Sequence, residues 1–465
     1  DYARINYFDW QRAFAPIFAE GGFDAVIGNP PYIRIQAMQA FAPHELPYYK
    51  HTYPSAAQGN CDIYLMFVEK GLSLLKAHGT LGYILPHKFF NAQYGEPLRA
   101  ALAAGKHLRQ VVHFGDQQIF KGATTYTCLL FLGKAAQPTF EVARVNDLIA
   151  WRTGSTAERG SLSAESLNAK EWHFSLGAQS ALFERLKAMP VKLGDVANIF
   201  VGLQTSADRI FILKQVDAST KEYVSVEDRS GQVWLLERGI LKPQLYDAYF
   251  TTFQTPVCIH WLIFPYTHEG QLIDQSTFES KYPNAWQYLK YHEKTLRNRE
   301  GGKWDHDRWY AFGRNQNLTQ MIKPKLIVQV VSKTGRYTYD ETQIHFTGGG
   351  NGAFYGIRFR KDEAHSIHYL QALLNSKLVD WFLHRISTTF RGGYYSYAKR
   401  YLELLPIRLI NFDDPAERAM HDQIVVAVQT LLGLHQQLAA AASPATRTPL
   451  ERRISELERQ LDEWV

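Results

Sequence analysis

FDAVIGNPPY, residues 23–32, sets the architecture of the first part of this chain. Phe23 to Ile27 is a short apolar run with β-branched residues, the kind that lies buried in a parallel sheet. It stops at Gly28-Asn29-Pro30-Pro31, because proline has no N–H to donate and cannot continue a central ladder. A strand ending on paired prolines predicts a stiff corner at the carboxyl edge of a sheet, the edge where open α/β sheets bind ligands.

The neighbouring sequence predicts the rest of that sheet. DIYLMFVEKGLSLLK, residues 62–76, has apolar residues at helical spacing, and GTLGYIL, residues 79–85, reads as a strand ended by Pro86. Residues 98–104 read as helix, and 110–114 and 125–132 as further strands, so the first 135 residues alternate in the manner of a doubly wound sheet. Residues 1–145 are expected to form one domain, and the polar run 146–190 a linker or decoration. From Leu193 short strands separated by Gly-, Asn- and Tyr-rich loops predict a β-rich, mixed α+β domain over 191–408. The last stretch, 409–465, reads as helical, with Ile454, Leu457, Leu461 and Trp464 on one face.

Asn29-Pro30-Pro31-Tyr32 carries the chemistry. Four specified residues recur by chance in a chain this long at about 0.3%. The side-chain oxygen of Asn29 and the carbonyl of Pro30 can each accept one hydrogen of an aromatic amine. Holding both tilts the nitrogen toward tetrahedral geometry and frees its lone pair to attack an electrophilic methyl. The prolines aim the carbonyl outward, and Tyr32 offers a ring to a base taken out of its stack. The alternative reading is a rigid turn without chemistry.

This stretch resembles the catalytic motif of S-adenosylmethionine-dependent N6-adenine DNA methyltransferases. DIYLMF (62–67) resembles the helix bordering the cofactor's adenine, which implies cofactor contacts for Asp62, Tyr64 and Phe67. GTLGYILPHKFF (79–90) resembles the next strand and loop. QIFKGATTYTCLLFL (118–132) resembles the motif whose phenylalanine, here Phe120, encloses a flipped base. Residues 193–213, 240–245, 263–266, 309–318, 373–382 and 390–407 resemble a TaqI-like C-terminal specificity domain. The whole is most similar to Eco57I-type (type IIG-like) restriction-modification enzymes. The resemblance implies a partial Rossmann-like α/β methyltransferase sheet, S-adenosylmethionine as cofactor, and double-stranded DNA with a specific target site as partner. The family's glycine-rich cofactor loop has no counterpart in residues 1–28. With Asp1 in place of a methionine, this predicts that the amino-terminal part, including any fused nuclease, is missing.

DNA contacts are expected from Arg391, Lys399 and Arg400, which flank a Gly-Gly pair and several tyrosines, and from Gln204, Thr205, Arg314 and Lys333 in loops. A formal charge of +6 over 465 residues permits a phosphate-binding stripe without requiring one. The aromatic content of 14% fits either base stacking or aromatic-rich strands. Cys61, Cys128 and Cys258 form no CxxC pair, which argues against a zinc site or disulfide scaffold and for a reducing compartment; the family resemblance implies the cytoplasm of a bacterial or archaeal cell. No apolar run approaches a membrane span. Asp305-His306-Asp307 and His365–His368 lack further ligands, so no metal is expected. Asp274 with Glu279-Ser280-Lys281 is too tightly spaced for a nuclease centre. Two other functions keep the motif or the loops: methylation of a protein glutamine amide, and DNA recognition without catalysis.

Overall fold

The computed structural model describes all residues except 1–4, 6, 58–60, 116, 121–124, 155–156, 175, 218–219, 247–250, 349–352, 361–364 and 391. The chain divides into two compact units, Asp1–Arg185 with Arg385–Gly393, and Leu186–His384 with Tyr394–Val465.

The first unit is built on one six-stranded sheet. Its strands are β1 (Phe23–Gly28), β2 (Leu75–Pro86), β3 (Leu108–His113), β4 (Thr127–Gly133), β5 (Thr139–Arg144) and β6 (Glu158–Ser163), in the order β1-β2-β4-β3-β5-β6. β1 pairs parallel with β2 and β3 with β5, while β4 lies antiparallel between β2 and β3. Hence β1, β2, β3 and β5 all run one way, as an α/β sheet requires, and the loops after β1, β2 and β3 emerge at one rim. Leu75, Leu81, Leu85, Leu130 and Leu132 are fully buried in it, packed with Tyr64, Leu65 and Val68 of the helix Tyr64–Ser73 and with Leu98 and Leu102 of the helix Glu96–Ala104.

One expectation changes here and another becomes specific. β1 was expected as a buried strand, yet it is an edge strand with Ile27 90% exposed. Only its Val26 side packs on the core, because among the described residues a single neighbour, β2, covers it. Residues 146–190, expected as a linker or decoration, add β6 to the sheet and bury Trp172 and Phe174. Buried Arg99 secures this segment by donating to the carbonyls of Ala169 (3.0 Å) and Lys170 (2.9 Å) while also reaching Phe89 (2.6 Å) and Ala92 (2.8 Å). β6, with the sequence ERGSLS, buries too little surface for its pattern to stand out.

The second unit contains the expected β-rich region. One sheet runs β10 (Val233–Glu237), β9 (Tyr223–Glu227), β8 (Ile212–Gln215), β12 (His260–Ile263), β11 (Leu241–Leu245), β15 (His345–Phe346). A second runs β14 (Tyr337–Asp340), β13 (Lys325–Gln329), β16 (Phe354–Phe359), β7 (Ala197–Val201). Fully buried Lys325 pairs with fully buried Asp340, whose remaining lone pairs take the N–H groups of Thr342 (2.8 Å) and Ile344 (3.0 Å). Such saturation is what lets an ion pair stay in a core. The terminal helices Pro415–Ala440 and Pro444–Trp464, capped by Asp414 and Ser443, pack together in this unit.

Candidate active site at the Asn-Pro-Pro-Tyr corner

The chain leaves β1 at Gly28 and turns at the rim. Asn29 and Pro31 are exposed, Pro30 is buried and Tyr32 is half-buried. The Tyr32 hydroxyl lies 2.7 Å from Asn29 Oδ1 and 3.2 Å from the carbonyl of Ile84 on β2. One hydroxyl hydrogen thus has two acceptors within reach. Burial pushes the Tyr32 phenol up to about 12, so it stays protonated and can only donate toward Asn29. The Pro30 carbonyl accepts no hydrogen bond from any described residue.

The backbone beyond the corner is pinned. Ile35 N–H donates to Cys61 (2.8 Å) and Ile63 N–H to Ile33 (2.9 Å), which lays residues 33–35 beside 61–63. This brings Asp62 and Tyr64 next to the corner. Tyr64 is fully buried and meets Tyr32 edge-to-face at 6.3 Å and 82°, so it braces that ring and has no free face of its own. Its hydroxyl pairs with that of Tyr94 (3.2 Å), which in turn reaches Asp62 Oδ2 (3.3 Å). Burial raises the Asp62 carboxyl, offset by the Tyr94 hydroxyl and by Lys88 and Arg34 nearby. Phe67 is 44% exposed on the same helix. Phe120 lies beyond the end of β3 at the same rim, 36% exposed.

The expected DNA contacts sort differently. Gln204 and Arg314 are brought together: Arg314 N–H donates to the Gln204 carbonyl (3.1 Å), and Gly313 N–H to that of Thr205 (3.1 Å). Thr205 is the correction. It is fully buried, its hydroxyl donates to Asp208 and accepts from Ala207 N–H (3.0 Å), and it has no surface with which to read a base. The Arg314 guanidinium is held by Glu300 (2.9 Å), which also takes the Ser206 hydroxyl (3.0 Å). Ser206, Glu300 and Asn317 all adopt left-handed backbone (φ 55°, 51° and 58°), a strain that clusters at functional loops. Sequence reasoning missed Arg299. Buried beneath these loops, it donates to the carbonyls of Leu296 (2.8 Å), Thr205 (2.8 Å) and Ala311 (2.9 Å).

Lys333 lies over the Tyr394 ring (5.4 Å), Lys399 pairs with Glu403 (3.5 Å), and Arg400 donates to the Tyr401 hydroxyl (2.7 Å). Arg391 lies outside the described residues. Asp274 caps a helix by accepting from Thr277 N–H (2.9 Å), and His365 Nε2 accepts from Ile410 N–H (2.8 Å). Among the described residues no His, Cys, Asp or Glu group could hold a metal, and no helix is long and apolar enough to cross a membrane.

Residues 1–120 match the family described as Eco57I restriction-modification methylase, and residues 273–407 match the TaqI-like C-terminal specificity domain. The two matches are separate, the first on the sheet-bearing unit and the second mainly on the β-rich unit. The chain is 30% identical to the type II restriction enzyme and methyltransferase RM.Eco57I of Escherichia coli, over 95% of this chain and 45% of that protein. The chain thus spans less than half the length of that relative. It is 24% identical to the type II methyltransferase M.PaeR7I of Pseudomonas aeruginosa, over 87% of this chain and 68% of that one. In fold it is similar to the type IIL restriction-modification enzyme MmeI solved with DNA: TM-score 0.55, 11% identity, 98% of this chain and 55% of that one covered. The corner and Phe120 both fall inside the first match, and Arg314, Lys333, Lys399 and Arg400 inside the second.

Proposed function

We propose that the chain serves site-specific methylation of adenine N6 in double-stranded DNA within a bacterial or archaeal restriction-modification system, with S-adenosylmethionine as methyl donor. The observation that carries this reading is the amide oxygen of exposed Asn29 at the strand rim, bonded at rest, among the described residues, only to a hydroxyl that has a second acceptor.

A flipped adenine would offer its amine to Asn29 Oδ1 and the Pro30 carbonyl. The Tyr32 hydroxyl then keeps its hydrogen bond by turning to Ile84, so the exchange leaves no buried polar group unpaired. Tyr32 supplies one aromatic wall and Phe120 the other. S-adenosylmethionine, when bound, supplies a sulfonium methyl to the activated nitrogen. No side chain at the corner needs to act as base, since the amine becomes acidic once methylated. The chain's residues fit one end of the cofactor: Asp62, flanked by Arg34 and Lys88, and Phe67 would hold its nucleoside part, with Tyr64 acting only through Tyr32 and Tyr94. Site selection rests on the specificity segment, with Gln204 and Arg314 on paired loops as base readers and Lys333, Lys399 and Arg400 as phosphate contacts.

The deciding experiment measures labelled methyl transfer to bacterial DNA with Asn29→Ala. Activity retained in that variant removes the assignment. Among the described residues β1 pairs only with β2, and this favours a second reading, in which this chain alone recognises DNA without turning over. Titration with S-adenosylmethionine separates the two, because tight cofactor binding contradicts it.

A further inference from the structure

Two histidines that the reaction does not use meet on the rim. His87 begins the turn after β2, and His113 ends β3. Their rings lie 4.3 Å apart, and both address Gly115. His87 Nε2 is 3.2 Å from the Gly115 carbonyl, and Gly115 N–H donates to His113 Nδ1 at 3.0 Å. These bonds dictate both tautomers: His87 carries its hydrogen on Nε2, and His113 must leave Nδ1 bare. His113 is therefore neutral with hydrogen on Nε2, while His87 donates through its Nε2–H. A protonated His113 would point an N–H at another N–H.

Gly115 sits at φ +60°, a left-handed position that glycine takes without strain. The chain after it is held too. Gln117 donates to the carbonyls of Phe114 (3.2 Å) and Val145, and accepts from Leu148 N–H (2.6 Å). Ile119 packs on the small cluster around Val112 and Phe114. Phe120 is the next residue, so its ring projects from a run fixed at three successive points.

We infer that His87 and His113 are positioning residues whose neutral rings clamp Gly115 and thereby set where Phe120 stands beside the target base. The inference rests on the proposed function for its purpose, and on the hydrogen bonds for its geometry. Although each residue keeps some exposed surface, packing around the rings pushes both imidazoliums down, His113 well below its ordinary value. The groups facing them reinforce neutrality. Arg144 on β5, paired with His113, repels a further positive charge. Cys128 on β4, also paired with His113, has a thiol pushed up by burial and supplies no anion. Tyr126 and Phe90 stack on His87.

Amide isosteres separate clamp from filler. Asparagine sets an oxygen where histidine has Nδ1, and glutamine sets an N–H donor where histidine has Nε2. With 4-trifluoromethylphenylalanine at position 120, a single fluorine NMR line reports the ring's surroundings in the whole chain. His87→Gln and His113→Asn should keep that line, whereas His87→Asn and His113→Gln should shift it to the position of the free amino acid. Acidifying the parent below the ordinary histidine range should produce the same shift, and the double variant His87→Gln/His113→Asn should resist it. An unmoved line in His87→Asn and His113→Gln overturns the clamp, as does a double variant as acid-sensitive as the parent. In methyl transfer, His113→Gln should lose on the order of tenfold in kcat/KM and His113→Asn should not. If the parent itself transfers no methyl to DNA, the proposed function fails, and the fluorine line still judges the clamp.

Discussion

At the end of β1 the interacting groups are three residues apart: Tyr32 donates to Asn29 across one turn, with two prolines fixing the backbone between them. In the second unit Ser206 reaches Glu300 across 94 positions, and Arg314 joins the same carboxylate. The corner is neutral and keeps a carbonyl free of partners among the described residues. The paired loops are charged, and their leading cation is already matched. The contrast follows from the task each would perform. Gripping an amine needs acceptors that are stiff and uncharged, whereas finding a site needs charges that can exchange one partner for another. A half-exposed ion pair such as Arg314–Glu300 is weak enough in water to be given up for a base edge or phosphate.

The largest effect expected from this contrast is at the corner. Asn29→Ala removes an acceptor that works on the reacting nitrogen, and methyl transfer should fall on the order of 10²–10³-fold. DNA affinity measured by fluorescence anisotropy should stay within about twofold. A matching loss of DNA binding would show that the corner is not specialised for the chemical step.

Next comes Arg314→Ala, which should weaken binding to the cognate site about tenfold or more and lower the salt dependence of binding. Glu300→Gln should do the reverse, because it frees the guanidinium before DNA arrives. If both substitutions weaken binding equally, the pair is structural and the loops do not read DNA. Thr205→Val should cost about 1–3 kcal/mol in urea unfolding of the chain, since it strands the buried end of the Asp208 interaction, and should leave site preference unchanged.

These differences also explain what the sequence could tell. The geometry of the corner was legible because its parts are local: strand, prolines, amide and phenol follow one another, and the β1–β2 register simply brings Ile84 alongside. The alternation of strands and helices was legible for the same reason. Thr205 was misread as a base reader because a polar loop residue after Gly202 looks exposed. Thr205-Ser206-Ala207-Asp208 ahead of RIFIL nevertheless has Ser/Thr-x-x-Asp/Glu spacing, which lets the Thr205 and Asp208 side chains close on each other ahead of a short helix. Arg299 carried no signal, since NREGGK reads as solvated loop and its carbonyl partners come from three separate segments. Ile27 shows the opposite failure: its run has the composition of a buried strand, and composition says nothing about how many neighbours a strand has.

The smallest expected effect probes the corner most finely. Tyr32→Phe keeps the ring that would stack on adenine and its edge contact with Tyr64, and removes only the hydroxyl that holds Asn29 at rest. If that hydroxyl merely competes with the incoming amine, its loss should lower KM for DNA by a few-fold, about the net worth of one neutral hydrogen bond of ~0.5–1.5 kcal/mol, with kcat unchanged. If it instead fixes the Asn29 rotamer in the reacting state, kcat should fall and KM should stay. The Ile84 carbonyl favours the first outcome, because it gives the hydroxyl another partner once the amine takes Oδ1. The phenol stays protonated up to about pH 12, so the wild-type and Tyr32→Phe pH profiles should run parallel between pH 6 and pH 9. A profile that diverges in that window would mean that Tyr32 exchanges a proton during the reaction, and the corner would then need a base that the neutral picture does not include.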